Sequence, residues 1–274
     1  VFLRYLELCG CNLTFPLAAY QGDYIHSIGQ KLQSIHGNLL EIDISKLVDG
    51  TGNDTEETQD SHIDMMISNT KKILGDNWKK PFNIALNAIL EDIRNDLSKF
   101  GVRFDQWFSE QALVTSGEID KVIKTLGSNG FLYEKKNTLW FQSTKFGDDK
   151  DRVIRRQNGA TTYFASDIAY IANKFNRGFD SIIYIWGADH HGYIERLKAA
   201  AEALGFDKNR IVIRLVQFAH LYKDGKRLEM STRSGSFVTL RELREDIGRD
   251  ACRYFYVMRK TDQHLDFDLS LATS

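Results

Sequence analysis

Cysteine is scarce in this 274-residue chain. Cys9, Cys11 and Cys252 are odd in number and form no Cys-x-x-Cys pair, which excludes a disulfide framework and a zinc knuckle. They read as buried or free thiols. No apolar run reaches the roughly 18 residues of a membrane-spanning helix, and Val1 to Gly10 lacks the charged start and small-residue cleavage site of a secretory leader. A cytoplasmic protein is expected. Proline occurs twice, at Pro16 and Pro81, and each is expected to interrupt a helical pattern. A start without methionine on an apolar run, and an end within "DFDLSLATS" that reads as the opening of a helix, are expected of a fragment.

Hydrophobic residues make up 42% and charged residues 27%, enough for one large or two modest cores. The net charge is −1 but unevenly spread. Glu41 to Asp64 carries eight acidic residues against one lysine, whereas Lys223 to Lys260 carries ten Lys/Arg against six Asp/Glu. The C-terminal part can steer a polyanion, unless its charges only solvate helix faces.

The hydrophobic period divides the chain into a mainly helical region, 1–127, and an α/β region, 128–274. Val1 to Gly37 reads as helix broken around Pro16, "VDGTGNDTEETQDS" as an exposed connection, and Ser61 to Leu126 as helix interrupted at Pro81 and Gly101. "TLWFQST" and "DRVIRR" read as strands. A hairpin is expected near 139–164, with Asn158-Gly159 suiting a type I′ turn. Ser166 is a candidate cap for a helix beginning near Asp167. Then follow the strand "SIIYIWG", a helix from Tyr193 to Leu204, the strand "NRIVIRLVQFAHLY", a turn at Asp224-Gly225, and a helix opened by the capping box Thr239-Leu240-Arg241-Glu242. This alternation is the pattern of a parallel α/β sheet.

Ligands in such sheets bind beyond the carboxyl ends of the strands, where loops and helix N-termini present backbone N–H groups. "GADHHG", Gly187 to Gly192, lies at such a point. The glycines allow close backbone approach, Asp189 can accept from ribose hydroxyls, and His190 and His191 can donate to phosphate or stack on a base. A plain turn with Asp189 as helix cap and surface histidines uses the same letters. Metal binding is disfavoured, because adjacent histidines do not share a helix face and no third ligand is placed by spacing. Asp-His-His also names the DHH metal phosphoesterases, but the acidic stretch here, "DGTGNDTEETQDSHID", precedes helices and follows no apolar strand. Downstream, Met230-Ser231-Thr232-Arg233 forms a cation-bearing loop fit to close over a triphosphate.

In combination, "WGADHHGY", the following strand, the Met-Ser-x-x-Ser-Gly loop and "VTLRELREDIGRDACRYFYVMR" resemble the second half of a class I aminoacyl-tRNA synthetase catalytic domain. "YQGDYI", "LWFQSTKFGDDKDRV", "TTYFASDIAYIANKFNRGFD", "IWGADHHGYIERLKAA" and "LDFDLSLA" narrow the resemblance to arginyl-tRNA synthetases. The resemblance implies a Rossmann-like nucleotide-binding fold, second half, with an inserted helical module and a β-hairpin. It implies that Tyr163 and Asp167 belong to an arginine pocket. It also implies that Gly187, Asp189, His190, His191, Met230 and Ser231 bind ATP, with Thr232 and Arg233 on the catalytic loop. Arginine, ATP with Mg2+ and tRNA(Arg) are the implied substrates, with no resident metal, no tightly bound cofactor, no DNA and no membrane.

A carboxylate at Asp167 suits a guanidinium, since it accepts two parallel N–H bonds; it also stabilises a helix N-terminus. The sequence departs from the family signature Lys-Met-Ser-Lys-Ser, which stands here as Glu229-Met230-Ser231-Thr232-Arg233. The His-Ile-Gly-His signature does not occur in these 274 residues, and a central piece of the enzyme, without the anticodon-binding helical domain, is expected. The fragment is therefore expected to be inactive alone. A nucleotide- or tRNA-binding module without activity is the alternative function.

Overall fold

Apolar spacing and glycine stops shape the first hundred residues. In the computed structural model, which describes residues 1–228 and 238–272, α1 spans Phe2–Leu8 and α2 Asp23–His36. The chain is irregular between them, with Pro16 fully buried at the expected break. The two helices approach closely at Gly29, where a Cβ would lie 3.0 Å from Arg4 Cβ. Helix α3 (Ile44–Leu47) is capped by Asp43, which accepts from Ser45 N. Helix α4 covers Gln59–Leu74, and α5 Lys79–Phe100.

Pro81 does not interrupt the helical run. It sits in the first turn of α5, where its missing N–H leaves no hydrogen bond unmade. The break comes earlier, at Gly75, which has φ +52°. Gly101 ends α5 in the left-handed conformation, φ +85°, as its spacing predicts.

The described residues group by packing into two compact units. One comprises 1–103, 221–254 and the residues from 268 onward. Its first core gathers Tyr5, Leu6, Leu32, Leu40, Leu47 and Met66. The Tyr5 hydroxyl accepts from Leu40 N at 3.0 Å, and Asn69 Nδ2 donates to Leu47 O at 3.0 Å and Asp49 O at 2.8 Å.

The second unit comprises 104–220 and 255–267. Helices α6 (Glu110–Thr115) and α7 (Glu118–Ser128) precede the change of hydrophobic period at residue 127, yet Leu113, Ile119, Val122 and Leu126 belong to this unit's core. Strands β1 (Leu132–Lys135), β2 (Thr138–Phe141) and β3 (Arg152–Arg155) form an antiparallel sheet in that order.

The tight hairpin turn lies at Lys136-Asn137, with φ of 52° and 54°, and not at Asn158-Gly159. At the latter pair only Gly159 has positive φ, and the returning chain makes a single bridge, Arg155 to Thr161. Thr162 explains why the return stops. Its hydroxyl donates to Val153 O at 2.9 Å and caps α8 (Tyr163–Asn176) by accepting from Ala165 N. Thr162, and not Ser166, is thus the helix cap, and Tyr163 begins the helix inside the span expected for the hairpin.

Next come β4 (Ile182–Gly187), a 3-10 turn Ala188–Tyr193, α9 (Ile194–Ala203) and β5 (Ile211–Val216). Strands β4 and β5 are parallel, in register from Ile182↔Ile211 to Gly187↔Val216. One face of the pair enters the core through Ile182, Tyr184 and Ile211. The other is open, with Ile183 63% and Ile185 72% exposed, although parallel strands are normally covered on both faces.

The expected long strand after Asn209 breaks at Gln217-Phe218, giving β5 and a separate β6 (Ala219–Lys223). Asp224 and Gly225, with φ 52° and 71°, turn β6 into β7 (Lys226–Arg227), as predicted. Helix α10 (Leu240–Ile247) carries the predicted Thr239–Glu242 capping box. Helix α11 spans Arg249–Val257, β8 Leu265–Asp268 and α12 Leu269–Ala272, with β8 placed beside β6 in the sheet order β7-β6-β8.

Candidate functional site

Strand β4 delivers the chain to Gly187, and the 3-10 turn carries Asp189, His190 and His191 at the carboxyl end of a parallel strand. Gly187 leaves room there for a neighbouring side chain. A Cβ would lie 2.5 Å from Asp189 Oδ1, which folds back over it. Asp189 and His190 are both more than half exposed, their Oδ2 and Nε2 3.7 Å apart, and His191 is exposed. These groups are free to meet a ligand. Among the described residues no cluster of three or more His, Cys, Asp or Glu is arranged to hold a metal. Met230, Ser231, Thr232 and Arg233 lie outside the described residues.

Helix α8 carries both candidate amino-acid contacts one turn apart. Tyr163 is 81% exposed at the helix start and lines a cleft of 410 Å3 with Glu110, Arg156, Thr162 and Ser166, within the usual size range for small-molecule sites. Asp167 is half-buried and does not line that cleft. Its Oδ2 accepts from the Tyr193 hydroxyl at 2.8 Å. Burial raises the Asp167 carboxyl above its ordinary range; the Tyr193 hydrogen bond opposes this, Glu110 adds to it, and Lys174 and Arg196 oppose it. Burial and the Asp167 bond push the Tyr193 phenol up to about 12.

The surroundings of Asp167 are built from aromatic rings and cations. Tyr193 meets Phe164 and Trp186 edge-on, with centroids 6.1 and 6.0 Å away. The Arg196 guanidinium stands 4.3 Å from the Tyr193 centroid. Lys174 lies between Tyr170 and Tyr184, its ammonium 3.9 and 3.8 Å from the ring centroids. Burial, with Arg177, lowers it to about 8.

Glu110 was not singled out by the sequence. A lone glutamate at a helix start is indistinguishable there from an ordinary charge at the positive end of the helix dipole. Only folding brings it into one cleft with Tyr163 and its charge to bear on Asp167. Tyr193 was missed for a like reason, being read as a helix start and not as a partner of Asp167. The cleft itself is lined by one carboxylate, Glu110, and one guanidinium, Arg156, a pair that suits a zwitterionic ligand.

A βαβ unit with a ligand-facing loop beyond a parallel strand is the arrangement of nucleotide-binding α/β enzymes. Residues 54–265 match the family model described as tRNA synthetases class I (R), catalytic domain. The chain is 54% identical over 277 residues to an arginine–tRNA ligase of Thioalkalivibrio sulfidiphilus, covering 100% of this chain and 47% of that protein. It is 49% identical to one from Acinetobacter baumannii (strain AYE), covering 100% and 48%. The chain thus spans about half the length of these curated relatives. A Campylobacter jejuni crystal structure bearing the name of an arginyl-tRNA synthetase superposes with TM-score 0.73 at 31% identity, over 98% of this chain and 53% of that one. The Thermus thermophilus arginyl-tRNA synthetase shares the fold, with TM-score 0.59 at 15% identity, over 99% and 56%. The chain belongs to the arginine (R) family of class I tRNA synthetase catalytic domains.

Among the described residues no helix is long and apolar enough to cross a membrane.

Proposed function

We propose that the full-length protein carrying this chain is an arginine–tRNA ligase. It activates arginine with ATP, supplied as its Mg2+ complex, to arginyl-adenylate and pyrophosphate, and then transfers the arginyl group to tRNA(Arg) in the cytoplasm. The observation that carries this reading is the half-buried Asp167 carboxylate on α8, held by the Tyr193 hydroxyl at 2.8 Å. A half-buried carboxylate is complementary to a guanidinium, which stays charged when desolvated and offers planar pairs of N–H donors. Tyr163, one turn earlier on α8, contributes an exposed ring to the same region.

We assign ATP to Gly187, Asp189, His190 and His191 and, from the family resemblance, to Met230 and Ser231, with Thr232 and Arg233 given the part of steadying the pyrophosphate. Chemistry of this kind is positioning and charge stabilisation, so no covalent enzyme intermediate is required. The arginine carboxylate attacks the α-phosphorus, and pyrophosphate leaves. A tRNA ribose hydroxyl then attacks the carbonyl, and AMP leaves.

For the chain alone, a nucleotide- or tRNA-binding module without activity is the second reading. The open face at Ile183 and Ile185 favours it, because a parallel sheet covered on one side lacks half of its usual packing. Arginine-dependent pyrophosphate exchange, measured for the full-length protein and for the chain alone in the presence of tRNA, separates the two.

A further inference from the structure

The Tyr193 hydroxyl donates to Asp167 Oδ2 at 2.8 Å. We propose that Tyr193 is a positioning residue for amino-acid choice: its hydroxyl fixes one oxygen of Asp167 and leaves the other to the guanidinium of arginine. The inference rests on the arginine role of Asp167 given above.

The tyrosine is held too firmly to follow Asp167 passively. Phe164 and Trp186 meet its ring edge-on from α8 and β4, and Arg196 stands over it from α9. A ring fixed on three sides aims its hydroxyl at one point, and the carboxylate must turn to meet it. A free carboxylate rotates about its last torsion, whereas one pinned at a single oxygen presents the other in a defined direction. Tyr193 also ends the turn that carries Asp189, His190 and His191. One side chain therefore joins the candidate nucleotide loop to the candidate arginine carboxylate.

The hydrogen bond also bears on charge. Burial and Glu110, from α6, drive Asp167 towards the neutral acid. Tyr193 and Arg196, from the turn and α9, and Lys174, from its own helix, hold it ionised. Tyr184, from β4, faces it as well, its phenol raised by burial and by Asp167. Removing the Tyr193 hydroxyl takes away the largest opposing influence. Asp167 then takes up a proton at a higher pH, and arginine, which needs the carboxylate, is lost from the acid side upward.

The test is steady-state aminoacylation by the full-length protein between about pH 5.5 and 8.5, with separate arginine and ATP titrations, for wild type, Tyr193→Phe and Asp167→Asn. Tyr193→Phe is expected to raise the arginine KM roughly tenfold, as for loss of a hydrogen bond to a charged group. Its kcat and ATP KM should stay within about twofold of wild type, a small change on the same free-energy scale. The acid limb of kcat/KM for arginine should move to higher pH.

If Asp167→Asn impairs arginine use while Tyr193→Phe leaves the arginine KM and the acid limb unmoved, the positioning role is overturned and the arginine reading stands. An Asp167→Asn variant with unchanged arginine dependence overturns the arginine reading itself. A Tyr193→Phe variant that raises both KM values and lowers kcat together with its melting temperature has a structural tyrosine, which also overturns the proposal. Should Tyr193→Phe fail to fold, 3-fluorotyrosine at position 193 keeps the hydroxyl and makes it a stronger donor. The acid limb must then move to lower pH, and an unmoved limb sinks the proposal.

Discussion

Arg152 grips Asp148 with two parallel hydrogen bonds, Nε to Oδ2 and Nη2 to Oδ1, both 2.7 Å, and the two side chains are 11% and 3% exposed. This pair closes the loop between β2 and β3. Arg152→Ala leaves a buried carboxylate without its cation and is expected to cost about 3–5 kcal/mol. Thermal unfolding of the full-length protein checks it, and a loss within about 0.5 kcal/mol, the scale of a neutral surface change, would show the pair to be dispensable.

The same pair predicts a pH dependence. Burial alone would raise the Asp148 carboxyl, but the hydrogen bonds from Arg152, with Asp149 and Ser143, hold it below the usual carboxylate range. A folded pKa depressed below the unfolded value, about 3.9, gives stability that is full above that value and is lost as pH falls through the folded pKa. The stability gap between wild type and Arg152→Ala should therefore narrow below about pH 4. A gap that widens in acid would contradict the assignment.

Most elements were legible because local rules and tertiary packing agree. Gly101 ends α5 where the period stops, and Thr239 and Glu242 form the capping box that their spacing predicts. One failure is a place where a single residue serves two structures. Thr162 spends its hydroxyl on Val153 O and on the α8 cap, so the second arm of the expected hairpin becomes a helix. Lys136-Asn137 carries weak turn chemistry, yet strand pairing on both sides forces positive φ there. In the site, Gly187 to His191 could be placed from sequence because strand, loop and helix are contiguous. Glu110 and Tyr193 could not, since each acts on Asp167 across a long stretch of chain.

That forced turn can be relieved. A left-handed conformation costs an ordinary residue roughly 1–2 kcal/mol, and much less at asparagine or glycine. Replacing Lys136 by Asn together with Asn137 by Gly should raise the melting temperature by about 2–4 °C, the shift expected of 1 kcal/mol in a domain of this size. An unchanged or lower value would mean that Lys136 or Asn137 makes a compensating contact.

Gly187→Ala tests the nucleotide loop without straining the backbone, whose φ of −63° and ψ of 150° any residue adopts. The added Cβ meets Asp189 Oδ1 at 2.5 Å and must displace that carboxylate. The ATP KM should rise about fivefold, equivalent to about 1 kcal/mol, with the arginine KM little changed. Equal effects on both substrates would detach Asp189 from ATP.

Asp167→Asn should reduce kcat/KM for arginine at least about tenfold, since truncating a buried charged pair costs roughly 2–5 kcal/mol. The ATP dependence should hardly move. Separate titrations of the two substrates give the answer, and equal losses for both would mean that the substitution disturbs the fold around α8.

The central claim is that Asp167 and its neighbours select a guanidinium, and amino-acid-dependent ATP–pyrophosphate exchange tests it most directly. The full-length protein, with tRNA(Arg) present, is assayed with arginine, with lysine as a charged competitor lacking the planar fork, and with citrulline as the neutral isostere. Exchange should be supported by arginine, with lysine and citrulline at least about a hundredfold poorer, because the one lacks the planar array of N–H donors and the other the charge. Citrulline or lysine supporting exchange as well as arginine would contradict the account.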